Sequence, residues 1–245
     1  MTRSPEMPPE MSPEVSIVIP VFNEEAILHA AVLDLRERLA PCGVSYEIVL
    51  AENGSRDATA QVAAELGARY PEVRLTRSSE PNYGKALREG IECARGELII
   101  CEEIDLCDVD FHLRALQLLR AHRADFVIGS KLIGGARDER PPLRHAASLA
   151  YTALLRLLFD FRGTDTHGLK AFRRDKVAPL LAACRVDRDV FASELVIRAY
   201  RAPLTVVEIP VRVLEKRTPS VNLLRRVPGV LKNLWQLSRA IRGPA

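Results

Sequence analysis

Five carboxylates fall within nine residues where the apolar run Leu98 to Cys101 gives way to Glu102-Glu103-Ile104-Asp105-Leu106-Cys107-Asp108-Val109-Asp110. Side chains alternate along an extended chain, so while the chain stays extended Glu103 and Asp105, two apart, point to one side. Two hard oxygen ligands on one side suit Mg2+ or Mn2+ arriving with a diphosphate, whose oxygens and waters complete an octahedron. The plainer reading is an acidic loop or helix N-terminus.

Two other strand ends carry polar residues. Val15 to Pro20 runs into Val21-Phe22-Asn23-Glu24-Glu25, and Tyr46 to Ala51 runs into Glu52-Asn53-Gly54-Ser55-Arg56-Asp57-Ala58-Thr59. Ligands of open α/β sheets bind beyond the carboxyl ends of the strands, which puts Glu52 at a rim where a ligand would sit. Local structure offers rival roles: helix capping for Asn23 and Glu24, a tight turn for Gly54-Ser55, and a cap from Asp57 or Thr59. The first turn holds no glycine, so there is no dinucleotide G-x-G-x-x-G, and the chain has no phosphate-binding G-x-x-x-x-G-K-[ST].

The elements that must position these residues are legible in the periodicity. Val73 to Thr76 and Phe126 to Gly129 are further short strand runs. Between the strands, Leu28, Val32, Leu35 and Leu39 share a helix face, and similar patterns occupy Asp57 to Arg69, Gly84 to Arg95 and Phe111 to His122. Strand and helix in alternation predict a single α/β domain with a mostly parallel central sheet, Rossmann-like and flanked by helices. Beyond residue 130 the pattern changes: a Gly/Pro-rich stretch from Gly134 to Pro142, two helical segments, then one strand from Leu204 to Val213.

Composition narrows the setting. The chain has 245 residues and a formal net charge of +3, too small to imply general polyanion binding. Its five cysteines lack C-x-x-C spacing, which points to a reducing, cytoplasmic compartment rather than a disulfide framework. Residues 1–14 carry four prolines and no apolar core, and read as a disordered tail. The most apolar stretch, Leu149 to Phe161, is too short for a bilayer span of about 20 residues and is interrupted by Arg156 and Asp160.

The motifs PVFNEE, ENGSRDAT, NYGKALREG and EID, in this order and spacing, resemble those of GT-A fold family 2 glycosyltransferases. GSKLIGG, PLRHAAS, TDTHGLKAFRR and VVEIPVRVLEKR further resemble the polyprenyl-phosphate branch that contains dolichol-phosphate mannosyltransferase. The resemblance runs from about Val15 to Arg217, a GT-A domain over 15–217. It implies an inverting transfer of a hexose from a nucleotide diphosphate sugar, GDP-mannose or UDP-glucose, to a polyprenyl phosphate or related acceptor, with a soluble or protein-bound acceptor as a second enzyme reading.

The same resemblance assigns roles residue by residue. Asp105, Asp165 and Arg144 are the implied catalytic residues. Pro20, Asn23, Glu24, Glu52, Glu103 and Arg217 are the implied nucleotide-sugar contacts, joined by Lys85, which would equally begin its helix. Lys131 and Arg144 are implied for the acceptor phosphate, with Lys131 where the branch usually has Arg. Glu103 and Asp105 fall on the family's metal-binding D-x-D, so a Mg2+ or Mn2+ cofactor is implied. Here the first Asp is Glu, and Cys107 stands where Gln or Ser is common, a thiol being a poor Mg2+ ligand. His167, beside Asp165, is read as structural.

From Lys216 to Ala245 there are seven Lys or Arg residues and no Asp or Glu. Residues 218–245 read as a basic amphipathic helix, with Val230, Leu231, Leu234, Leu237 and Ile241 on its apolar face and Trp235 at the border. Two placements follow: peripheral contact with the inner membrane face, or packing on the domain or in a homodimer interface. A nucleic-acid partner is not indicated, since no recognised module is present. Against the transferase stands a second reading, a non-catalytic nucleotide-sugar-binding or scaffold subunit with a degenerate metal motif.

Overall fold

The structure is a computed structural model and describes residues 12–139, 141–213 and 227–242. Its first half alternates as the periodicity predicts: β1 (Val15–Val21), α1 (Leu28–Leu39), β2 (Tyr46–Asn53), α2 (Thr59–Arg69), β3 (Val73–Ser78), α3 (Tyr83–Cys93), β4 (Leu98–Cys101), α4 (Val109–Arg120) and β5 (Phe126–Ser130). Then come β6 (Arg137–Asp138), α5 (Pro142–Phe159), β7 (Lys170–Arg173), α6 (Arg174–Ala183), α7 (Phe191–Arg201), β8 (Val206–Pro210), β9 (Arg212–Val213) and α8 (Val227–Arg242).

The central sheet has the order β3-β2-β1-β4-β7-β5-β8. Every pairing in it is parallel except those of β7, which runs antiparallel between β4 and β5. A short parallel pair, β6 with β9, stands apart. β1, β2, β4 and β5 are buried almost throughout, the expected state of parallel strands covered on both faces. Alternation divides their side chains: Ile17, Ile19, Ile48, Leu50 and Ile100 pack under α1, α2 and α4. Val18, Val49, Ile99, Phe126 and Phe172 pack under α3, α5, α6, α7 and α8. Each fully buried side chain of this size contributes about 1.5–3 kcal/mol, so the two layers hold the strand ends rigidly.

Several expectations are corrected. β7 was not foreseen; it has four residues with cations at both ends, and its burial comes from the two strands beside it rather than from local hydrophobicity. The run Leu204 to Val213 is two strands, because the chain changes sheet at Val211, whose N–H still donates to the Ser130 carbonyl of β5 while its carbonyl accepts from Arg137 N, and Arg212 then pairs with Arg137. Three helices, not two, lie between Pro142 and Leu204. Glu14, assigned to the tail, is joined to the fold: its carbonyl accepts from Leu98 N at 3.0 Å and its carboxylate pairs with Arg120. Residues 1–11 lie outside the described residues.

The helix 218–245 is described only as α8, over Val227–Arg242. Leu234 and Leu237 are buried against α5 and α7, and Val230 and Ile241 pack on the same cluster. The apolar face offered to a membrane is therefore mostly covered by the domain itself. Leu231 and Trp235, 61% and 59% exposed, are what α8 leaves open. Beside them α5 exposes Leu143, Leu149, Leu154, Leu157 and Leu158, and the two helices are tied by Arg242 Nη2 donating to the Leu158 carbonyl at 2.7 Å. Among the described residues no helix is long and apolar enough to cross a membrane.

Candidate functional site

The parallel strands bring the ends of β1, β2, β4, β5 and β8 to one edge of the sheet, and β7, being antiparallel, begins at that same edge. A pocket of about 330 Å3 opens there, lined by Asp105 and Cys107 after β4, Lys131 after β5, and Asp165 and His167 before β7. Arg38 from α1 and Arg212 of β9 complete its cationic wall.

The centre of the pocket is an ion pair. Lys131 Nζ donates to Asp165 Oδ2 at 2.5 Å, with the side chains only 11% and 4% exposed. Asp165 Oδ1 accepts from the backbone N–H groups of His167, at 2.9 Å, and Gly168, at 3.1 Å. Burial alone would raise the Asp165 pKa, but the Lys131 ammonium and these donors outweigh it and hold the carboxyl below its ordinary range. Gly168 is required by close approach: a Cβ there would lie 1.9 Å from the Gly129 carbonyl oxygen. Buried Lys170 donates to the Gly168 carbonyl at 2.6 Å, and desolvation lowers its pKa.

The acidic loop presents Asp105 to this pocket. The chain turns directly after Glu103, whose carbonyl accepts from Leu106 N at 3.0 Å, so the extended-chain alternation expected of Glu103 and Asp105 does not hold. The Glu103 carboxyl accepts from the Tyr83 hydroxyl at 2.6 Å, and burial raises its pKa, assisted by the nearby Asp105 and Glu102 charges. Crowded like charges of this kind are relieved by a cation. Among the described residues no three His, Cys, Asp or Glu side chains gather as a metal cage. One carboxylate on an open pocket, Asp105, with the Glu103 charge close behind it, fits a divalent ion that brings most of its oxygens on a diphosphate. Cys107 is buried, has φ of 44°, and its thiol donates to the Ile104 carbonyl.

At the ends of β1 and β2 the polar residues are occupied with one another. Asn23, with φ of 54°, donates its N–H to Ser55 Oγ and accepts from Arg56 N through its side chain. Glu24 N donates to Thr59 Oγ1, and Glu25 accepts from Ala58 N. Neither Asn23 nor Glu24 caps a helix: α1 begins at Leu28 with no side-chain cap, and the same holds for α2. Buried Glu52 accepts from Ser55 N at 2.5 Å and lies 3.8 Å from Arg77 Nε. Pro20 is buried in β1 opposite Ala51.

The pocket thus brings together Asp105, Lys131 and Asp165 and adds Arg38 and Arg212, to which the sequence assigned no role, while Glu103 is not among its lining residues. Arg144 sits in the first turn of α5 and is not among the pocket's lining residues. Lys85 lies in the first turn of α3, where its N–H donates to Asn82 Oδ1 and its ammonium lies 3.8 Å from Glu89, and it is not among the pocket's lining residues. Arg217 lies outside the described residues.

A mostly parallel α/β sheet with acidic residues after β4 and a charged pocket at the same edge is the architecture of a GT-A glycosyltransferase. The pattern of glycosyl transferase family 2 matches residues 16–181, and the chain belongs to that family of enzymes. It is 30% identical over 236 residues to glycosyltransferase AglD of Haloferax volcanii, covering 92% of this chain and 38% of AglD. It is 37% identical over 190 residues to an undecaprenyl-phosphate 4-deoxy-4-formamido-L-arabinose transferase of Pseudomonas aeruginosa, covering 72% of this chain and 51% of that protein. A dolichyl-phosphate beta-glucosyltransferase, ALG5C of Trichomonas vaginalis, is 28% identical over 211 residues, covering 80% of this chain and 62% of that protein. The chain thus spans between 38% and 62% of the length of these three relatives. Among solved structures, glucosyl-3-phosphoglycerate synthase of Mycobacterium tuberculosis shares the fold, with a TM-score of 0.68 at 18% identity over 95% of this chain and 82% of that one. The same synthase is known in complex with Mn2+ and uridine diphosphate, and there the TM-score is 0.57 at 18% identity, covering 94% of this chain and 77% of that one.

Proposed function

We propose that this chain transfers a hexose from a nucleoside diphosphate sugar, GDP-mannose or UDP-glucose, to a polyprenyl phosphate, with inversion at the anomeric carbon. The observation that carries the reading is the convergence of Asp105, the Lys131–Asp165 pair, Arg38 and Arg212 on one pocket at the carboxyl edge of the sheet. Relatives named for dolichyl-phosphate and undecaprenyl-phosphate substrates support the acceptor class.

The residues divide the work by charge. Glu103 and Asp105 would hold Mg2+ or Mn2+, which when bound neutralises the departing diphosphate. Pro20, Asn23, Glu24 and Glu52 stand at the β1–β2 rim, where the nucleotide of the donor would lie, and Arg217 is assigned to its phosphates. Lys131, with Arg38 and Arg212, faces the acceptor phosphate; Arg144 at the start of α5 is assigned to the same group. Asp165 is ionised and held by two N–H groups, so it acts by orienting Lys131 rather than by moving a proton. A phosphate acceptor is already ionised near neutral pH, and no general base is required; positioning and electrostatics carry the catalysis.

Peripheral contact with the cytoplasmic membrane face belongs to the same proposal, through a different surface from the covered face of α8. Leu149 and Leu157 of α5 and Leu231 and Trp235 of α8 are exposed apolar side chains, with Arg239 stacked over Trp235 at 4.8 Å and Arg188 lining the same hollow as Trp235. Apolar and aromatic side chains flanked by cations suit an anionic lipid surface. Leu157→Glu is expected to abolish flotation with anionic vesicles while leaving nucleotide binding intact.

The alternative, a non-catalytic nucleotide-sugar binder, draws support from Glu103, whose buried carboxyl is already engaged by Tyr83. Calorimetric titration with GDP and UDP, each with and without Mn2+, separates the two. Metal-dependent binding of one nucleotide, lost in Asp105→Ala, is the outcome expected of the transferase. Binding indifferent to metal and to the substitution would favour the alternative, and binding of neither nucleotide would sink the donor assignment.

A further inference from the structure

The acidic loop is held from beneath by a buried pair that the proposed reaction does not use. Glu102 follows the apolar run of β4 and, by strand alternation, points away from Glu103, toward α4 rather than toward Tyr83 of α3. Its Oε2 is in hydrogen-bond contact with His112 Nε2 of α4, and both side chains are fully buried. Its Oε1 accepts from Asp108 N at 3.1 Å. One carboxylate thus joins the last residue before the loop, the residue that closes it, and the helix beyond. Two further contacts act on the same stretch: Asp108 Oδ1 caps α4 by accepting from Phe111 N, and Arg38 Nη1 donates to the Cys107 carbonyl at 2.9 Å.

An ionisable pair in an apolar layer contributes less to stability than well-packed hydrophobic side chains of the same size. What it adds is a fixed geometry, and here that geometry is the backbone between residues 102 and 108. The left-handed conformation of Cys107, rare for a side chain with a Cβ, is kept only where its surroundings over-determine it. His112 Nδ1 is buried without a partner among the described residues, and the ring reaches Glu102 through a proton on Nε2. That proton ties the carboxylate orientation to α4.

We infer that Glu102 and His112 are positioning residues for the metal-binding loop, setting the affinity of Glu103 and Asp105 for a diphosphate-borne divalent ion without touching it. The inference rests on the donor reading above. Its test follows free Mn2+ by electron paramagnetic resonance during titration in the presence of GDP or UDP, for the unchanged chain and for His112→Leu, His112→Gln and Glu102→Gln. Metal-free nucleotide binding and thermal unfolding are measured in parallel. His112→Leu fills the space without the hydrogen bond; it should weaken Mn2+ binding about 10- to 100-fold, the range typical of residues that orient metal ligands, with metal-free nucleotide binding within about twofold. His112→Gln restores a donor toward Glu102 and should recover most of the loss. A folded His112→Leu with unchanged Mn2+ affinity would overturn the inference and leave the pair a packing feature. Should that variant not fold, Glu102→Gln decides, with a loss of at least about threefold expected from the weaker, uncharged hydrogen bonds and an unchanged affinity overturning the inference. If the unchanged chain shows no Mn2+-dependent binding of either nucleotide, the donor reading itself fails, and the inference with it.

Discussion

Two stretches of the same sheet edge treat their polar residues in opposite ways. At the ends of β1 and β2, Asn23, Glu25, Ser55, Asp57 and Thr59 bond to one another's loops, mostly through backbone N–H groups. At the ends of β4 and β5, Asp105 and Lys131 face an open pocket, and Asp165 is held by backbone donors so that its other oxygen stays on Lys131. The first region is a scaffold whose backbone geometry depends on side chains; the second is a set of charges whose positions depend on backbone. Polar residues gathered beyond a parallel sheet are therefore not equivalent, and the hydrogen-bond partners tell them apart.

Substitutions can break or sharpen this contrast, beginning with the pocket. Asp165→Asn leaves Lys131 almost buried without its partner, and should cost about 3–5 kcal/mol in denaturant unfolding while reducing transfer by at least about 100-fold. The pH dependence has a definite sign. The folded pKa of Asp165 lies below its ordinary value of 3.8, so the pair's stabilisation is complete above that value and is lost as pH falls through the lower, folded one. Acid unfolding of Asp165→Asn should lack that limb. Gly168→Ala drives a methyl group into the Gly129 carbonyl and should cost about 1–3 kcal/mol, with transfer falling as Asp165 is displaced.

The scaffold should respond differently. Asn23→Ala removes the acceptor of Arg56 N and leaves an alanine at positive φ, for a loss of about 1–2 kcal/mol in stability. Transfer by the folded fraction should fall less than in Asp165→Asn, and a larger fall would erase the distinction between the two regions. Lys85→Ala removes only a helix-surface pair with Glu89 and should change stability by less than about 0.5 kcal/mol and transfer by less than about twofold.

The sheet was legible where burial on both faces writes itself as continuous apolar sequence, as in β1, β2, β4 and β5. It was not legible in β7, where Lys170 and Arg173 flank two apolar residues and only the neighbouring strands make the segment a strand. For α8, periodicity identified the apolar face but not what covers it, since packing on α5 and α7 and contact with lipid demand the same pattern. In the site, Asp105, Lys131 and Asp165 came from ordered motifs. Arg38 and Arg212 did not, because nothing nearby in sequence distinguishes a pocket arginine from a surface one. The Glu102–His112 pair joins a strand end to a helix ten residues on, a spacing without a local signature.

The most direct test of the account is the transfer of labelled hexose from GDP-mannose or UDP-glucose to a polyprenyl phosphate with Mn2+, comparing the unchanged chain with Asp105→Ala. The account predicts transfer by the unchanged chain and a loss of at least about 1,000-fold in the variant, with its thermal stability retained. Equal transfer by both would contradict the placement of the catalytic centre at the end of β4.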